Sequence, residues 1–143
     1  VSKIVMGGGA ATKNTPVRVS AKLLSNADRA LKIISTLDAG GNAELTETLA
    51  DIKALAFLSR YYGHKIAGAT ELHLYRQKGD KAHQAKAVEH LEEAAAAWRA
   101  YTLDIKSRYV SQLWMSRQRS ANGISDFDKL TTSVDLDIEA ARR

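Results

Sequence analysis

Four histidines, His64, His73, His83 and His90, are the side chains of this sequence best suited to metal or acid–base chemistry. A helix holds zinc between histidines four residues apart, and a di-iron bundle needs a Glu-x-x-His unit. Neither spacing occurs. His83 and His90 stand two helical turns apart, too far to share one ion. Surface or packing roles are therefore expected for all four, with no metal and no cofactor. Paired carboxylates occur at Glu92-Glu93 and in the set Asp135, Asp137 and Glu139. Neighbours on a helix point about 100° apart, so neither set makes an acid–base pair by itself. Serines are frequent, yet the long helical patterns leave no strand-to-turn elbow to expose one as a nucleophile. Catalysis within this chain is not expected.

A narrower catalytic reading uses Arg76 and His83, separated by six residues. The spacing resembles that of helical ribonucleases of the HEPN group, where an arginine precedes a histidine by four to six residues. Here the pair straddles Gly79-Asp80 instead of lying along one helix, and Arg60 with His64 falls short of the spacing. Gly7-Gly8-Gly9 invites comparison with a phosphate loop. It lacks the following Gly-Lys-Ser/Thr and the dinucleotide fingerprint, so a linker is expected.

Aromatic residues offer the more credible surface. Trp98, Tyr101, Tyr109 and Trp114 fall along one predicted helix and its exit, and Tyr61, Tyr62 and Tyr75 lie on the helix before it. Large rings dominate core energetics, so most are expected inside. Trp114 differs, because it stands with Met115, Arg117 and Arg119 in a predicted loop between Val110 and Gly123. These four residues form the expected docking surface, where the tryptophan would anchor a protein or stack on a sugar.

The elements that must position these groups are helices. Thr15-Pro16 reads as an N-cap followed by proline at the first helical position. The helix it starts is predicted to run to about Asp38, burying Val19, Leu23, Ala27, Leu31, Ile34 and Leu37, and to end at Gly40-Gly41. Asn42 caps a second helix reaching Lys78, apolar on more than one side and therefore central. Ala56, Gly63 and Ala67 would let a neighbour approach one side of it, and at its length it is expected either to protrude or to kink near Gly63 or Gly68. Gly79 stops it and Asp80 starts a third, forcing an antiparallel hairpin. In the third helix Val88, Leu91, Ala95, Trp98, Thr102, Ile105 and Tyr109 recur at steps of three and four, a stripe made to be buried. Ser125-Asp126 with Asp128 reads as the start of a last helix burying Phe127, Leu130, Val134, Ile138 and Ala141. An all-α, up-down four-helix bundle with a long central hairpin is expected over residues 15–143, with 1–14 as a linker from an upstream domain.

Composition fits that plan. The 143 residues carry one proline, which suits long helices, and no cysteine, which excludes disulfides and thiolate sites. The net charge of +5 raises nucleic acid as a partner. Positive residues are scattered and offset by late acidic ones, with no basic run interleaved with aromatics, so no nucleic-acid partner is expected. No apolar run reaches the length of a membrane span, so no membrane partner is expected. The chain begins at Val1, from which a fragment or processed product is expected.

The run Asp51 to Tyr109 resembles a C-terminal helical region of large secreted glycoside-hydrolase-like proteins of the Bacteroidetes type. Some of those are described as carbohydrate-binding or related to alpha-glucuronidases. The features that carry the resemblance are Thr15-Pro16, Asp51-Ile52, Tyr61-Tyr62, Lys65-Ile66, Gly79-Asp80 and the stretch from Trp98 to Tyr101 that follows an alanine run. An Asp-Trp pair of that region's last helix stands here as Asp126-Phe127. The resemblance implies a non-catalytic accessory or docking domain of a larger carbohydrate-active protein, extracellular or periplasmic. Its partner would be an upstream catalytic domain of the same chain or a second copy. A free-standing helical interaction module is the alternative.

Overall fold

The computed structural model describes residues 14–109, 113–114, 123–124 and 127–143, with the backbone alone at 113, 114, 123, 124, 128 and 129. The linker expected over 1–14 lies outside the described residues except for Asn14, an exposed turn residue. The chain is all-α: α1 is Pro16–Ile34, α2 Ala43–Lys78, α3 Lys81–Arg108 and α4 Phe127–Arg142. A two-residue antiparallel pair, β1 (Leu113–Trp114) and β2 (Gly123–Ile124), was not expected from the sequence.

Local chemistry fixes most helix ends. Thr15 accepts from the Arg18 N–H at 3.3 Å, and proline follows it at the first helical position. Asn42 accepts from the Leu45 N–H at 3.0 Å, and Asp80 from the Ala82 N–H at 2.9 Å, so each satisfies a donor its helix leaves free. Gly79 adopts φ 71° and its N–H closes on the Tyr75 carbonyl at 2.7 Å, the left-handed stop that a residue with a side chain resists.

The first helix ends four residues earlier than its apolar pattern predicts. The Ser35 and Thr36 hydroxyls donate to the carbonyls of Lys32 and Ile33, both at 2.8 Å. Such hydroxyls compete with the next helical turn. Leu37, expected in the core, is 53% exposed. Gly40 and Gly41 serve the connection to α2 instead of capping α1.

Consecutive helices run antiparallel. On α1 and α2, Ser20 donates to the Gly63 carbonyl at 2.8 Å and Ser59 to the Leu23 carbonyl at 3.1 Å. On α2 and α3, Glu71 meets His83 near the turn and Asp51 meets Arg108 at the far end. On α3 and α4, Trp98 donates to Thr131 and Gln84 to the Ala141 carbonyl, both at 2.9 Å. Lys65 of α2 also pairs with Asp137 of α4 at 2.8 Å. Since Gly63 faces α1 while Tyr61 and Lys65 face α4, these two helices flank α2 on opposite sides, as the 100° step per residue requires.

No kink is needed at the central glycines. α2 is helical from Ala43 through Lys78, passing Gly63 and Gly68 without a break. Both glycines are contact points. A Cβ on Gly63 would fall 2.7 Å from Leu24, and one on Gly68 would fall 2.8 Å from Leu91. The expectation of close approach at Gly63 thus holds, and Gly68 plays the same part toward α3.

The core is rich in alanine for the same reason. Tyr61, Ala94, Ala95, Ala97, Trp98 and Val134 form one cluster, with Leu58, Tyr101, Phe127 and Ile138 against it. Ala87, Leu91 and Ala141 form a second. The α3 stripe is buried at Leu91, Ala95, Trp98 and Thr102 as its spacing predicts, while its last member, Tyr109, is 45% exposed at the end of the helix. Ala87, Ala94 and Ala97 are buried as well, because α3 packs against α4 as well as α2. Leu130 departs from expectation at 46% exposed.

An ionic clamp joins the far ends of the hairpin. Arg108 donates to Asp104 at 2.7 Å and to Asp51 at 2.8 Å, and the Tyr109 hydroxyl donates to Asp51 at 2.6 Å. The Tyr109 and Arg108 hydrogen bonds hold the Asp51 carboxyl below its ordinary 3.8. A depressed carboxylate stabilises fully above that ordinary value and loses the contribution as pH falls through the folded one. Acid titration below pH 4 is therefore expected to quicken amide exchange around Asp51 and Arg108. Arg108→Gln should weaken the clamp at neutral pH and shrink the acid-dependent change. An unchanged acid response in that variant would show that Arg108 does not set it.

Candidate functional site

The residues singled out in the sequence do not gather into one place. Trp114 lies on β1 opposite Gly123 of β2. Its side chain, and the whole of Met115, Arg117 and Arg119, lie outside the described residues. The Ser125-Asp126 helix start lies outside them too. His83 directs Nδ1 at Glu71 Oε2, 2.6 Å away, while Arg76 is exposed near the end of α2. His73 is half-buried, and its Nε2 has no partner among the described residues.

The histidines that do meet are His64 of α2 and His90 of α3. Their Nδ1 atoms are 3.2 Å apart and their ring centroids 5.5 Å apart. Sequence spacing within one helix could not pair them. Counting outward from the Gly79-Asp80 turn leaves them five residues, about 1.4 helical turns, out of level, so the turn alone does not pair them either.

His64 of the pair lines a cleft of about 380 Å³ between α1, α2 and α3, where Phe57 and Ala97 supply apolar wall and Asp28, Arg60, His64 and Glu93 supply polar groups. Arg60 is held by Asp28 at 2.6 Å. Loss of water, then the charge of His90, holds the His64 pKa below its usual value, while Glu93 works in the opposite direction. One ring donates and the other accepts, so the arrangement can hold and exchange a proton. Among the described residues no group of three or more histidine, cysteine or carboxylate side chains could hold a metal ion.

A second feature lies on the side of α2 away from α3. Ile52, Leu55, Ser59, Tyr62, Ile66 and Ala69 recur at steps of three, four, three, four and three. Leu55 is 63% exposed, Tyr62 51% and Ile52 38%. Other elements take the rest of α2: α1 the Gly63 side, α3 the His64 and Glu71 side, and α4 the Lys65 side. Apart from Ser59, which donates to the Leu23 carbonyl of α1, the seam remains open among the described residues because its direction falls between α1 and α4. Its step pattern is that of a helix that meets another helix by knobs-into-holes packing.

Together these features define an all-α protein built on a long antiparallel hairpin, with an apolar seam of its central helix left open among the described residues. Compared with protein-family models, curated proteins and solved structures, the chain matches none. No helix among the described residues is long and apolar enough to cross a membrane.

Proposed function

We propose that this chain is a non-catalytic helical docking domain and that the open seam of α2 receives an apolar helix of its partner. The observation that carries the reading is the spacing of Ile52, Leu55, Tyr62 and Ile66 together with the exposure of the first three. Single exposed apolar residues are ordinary on a protein surface, whereas a heptad-spaced row on one helix face is the form of a packing seam.

The width of the seam favours a tethered partner over a free one. A stable interface buries about 800 Å² on each side, and three part-exposed large side chains present a fraction of that. A helix of the same polypeptide needs far less, since tethering raises its effective concentration to the millimolar range. This suits an accessory domain serving a larger protein. The carbohydrate-active setting of that protein rests on the resemblance from Thr15 onward and on nothing else, as does an extracellular or periplasmic location.

A photocrosslinking residue at Leu55 in the natural full-length product tests the reading, with mass spectrometry of the products. Crosslinks into an upstream part of the same polypeptide are the expected result, and Tyr62→Glu should abolish them while leaving the far-ultraviolet spectrum unchanged. Crosslinks only between copies would replace the tethered partner by self-association. No crosslink at all would sink the docking reading.

A further inference from the structure

We propose that His64 and His90 form a proton-responsive latch, closed across α2 and α3 while the pair carries at most one positive charge and opened by a second. The geometry supplies the argument. At 3.2 Å between Nδ1 atoms, one ring must present an N–H and the other a lone pair. A neutral pair meets this, and so does one imidazolium facing one imidazole. Two imidazolium rings cannot, since both Nδ1 atoms would carry hydrogens and like charges would face each other at contact distance. The second proton therefore removes the hydrogen bond and adds repulsion in the same step.

The groups around the pair leave that repulsion poorly offset. From α2, Arg60 adds a third positive charge. From α1, Asp28 is negative but already held by Arg60 at 2.6 Å. From α3, Glu93 lines the cleft with His64 and, among the described residues, has no ion-pair partner. The site is half-buried, so solvent screens the repulsion incompletely.

The consequence for stability has a definite sign. A histidine with its folded pKa below its unfolded value takes up protons more readily when unfolded. Stability from this site is therefore complete above the ordinary 6.5 of histidine and falls as pH drops below it. Because His64 lines the cleft, opening the latch loosens the cleft's wall between Arg60 and Glu93.

The latch is tested on the full chain by following each histidine Cε1–H resonance and backbone amide exchange between pH 8 and 4.5. In the native protein His64 is expected to titrate below free imidazole. Exchange corrected for intrinsic rates should quicken several-fold on acidification at residues 62–66 and 88–92. It should change less around Ser20 and Leu23 of α1, which neutral hydrogen bonds fasten to α2. In His90→Gln the His64 midpoint should move up and the local acid loosening should disappear. Glu93→Gln, on the surface of the cleft and tolerant of folding, should move the His64 midpoint further down. If His64 titrates like free imidazole, or both variants leave its midpoint and the exchange pattern unchanged, the latch does not exist. Uniform acid loosening along the whole hairpin would overturn it equally.

Discussion

Trp98→Ala is expected to remove about 3–5 kcal/mol of folding stability, the usual cost of truncating a large buried ring. Whole domains hold about 5–15 kcal/mol, so the variant would stand close to unfolding. The position explains the size. Trp98 is buried on α3, with ring centroids 5.1 Å from Tyr61 of α2, 5.6 Å from Tyr101 and 6.4 Å from Phe127 of α4. Its indole N–H donates to Thr131 at 2.9 Å, so the same side chain fills the core and fastens α4. Urea unfolding followed by far- and near-ultraviolet dichroism checks this. The near-ultraviolet signal should collapse first as α4 detaches, while much of the α2–α3 hairpin remains helical. Trp98→Phe keeps the ring volume largely in place and loses the hydrogen bond, so it should cost much less. A loss below 1 kcal/mol for Trp98→Ala would mean that the aromatic cluster is not the centre of this fold.

Gly68→Val should cost about 3 kcal/mol, the upper end of what overpacking a tight contact brings. In an exposed helix, replacing glycine by a residue with a side chain gains stability, up to about 1 kcal/mol for alanine. Here a Cβ would stand 2.8 Å from Leu91 Cγ and 3.2 Å from the Ala87 carbonyl oxygen. The branch point of a buried leucine and a backbone carbonyl cannot swing away like a chain end, so α3 must shift outward. Gly63→Val provides the companion measurement on α1, where Leu24 lies 2.7 Å from the added Cβ. Thermal unfolding of both variants would show which of the two helix contacts gives way. If Gly68→Val is as stable as the native protein, the close approach of α2 and α3 at this level is wrong.

Parts of this architecture were legible because they depend on neighbours in the chain. Asn42, Gly79 and Asp80 act through the first or last turn of a single helix, so their types predict their conformations. The α3 stripe from Leu91 to Thr102 was legible because a period near 3.6 needs no knowledge of the partner. The end of α1 was not, since Leu37 continues the apolar period while the Ser35 and Thr36 hydroxyls stop the backbone before it. Leu130 was misplaced for a related reason. It belongs to an apolar row, but whether a row is covered depends on how far the neighbouring helices reach.

The candidate sites divide in the same way. The α2 seam is written in the spacing of Ile52, Leu55, Tyr62 and Ile66, but a helix apolar on several sides does not announce which side stays open. That choice follows from α1 taking the Gly63 side and α4 the Lys65 side. His64 and His90 are separated by 26 residues and carry no local signal of their contact. The sequence by itself determined an all-helical chain, its hairpin and its helix starts, because capping chemistry and apolar periodicity act over one or two turns. Only the tertiary structure decided the register that brings two imidazoles together, the alanine-lined approach of the helices and the face left free. Those are set by side-chain volumes meeting across helices, which no single segment of the chain contains.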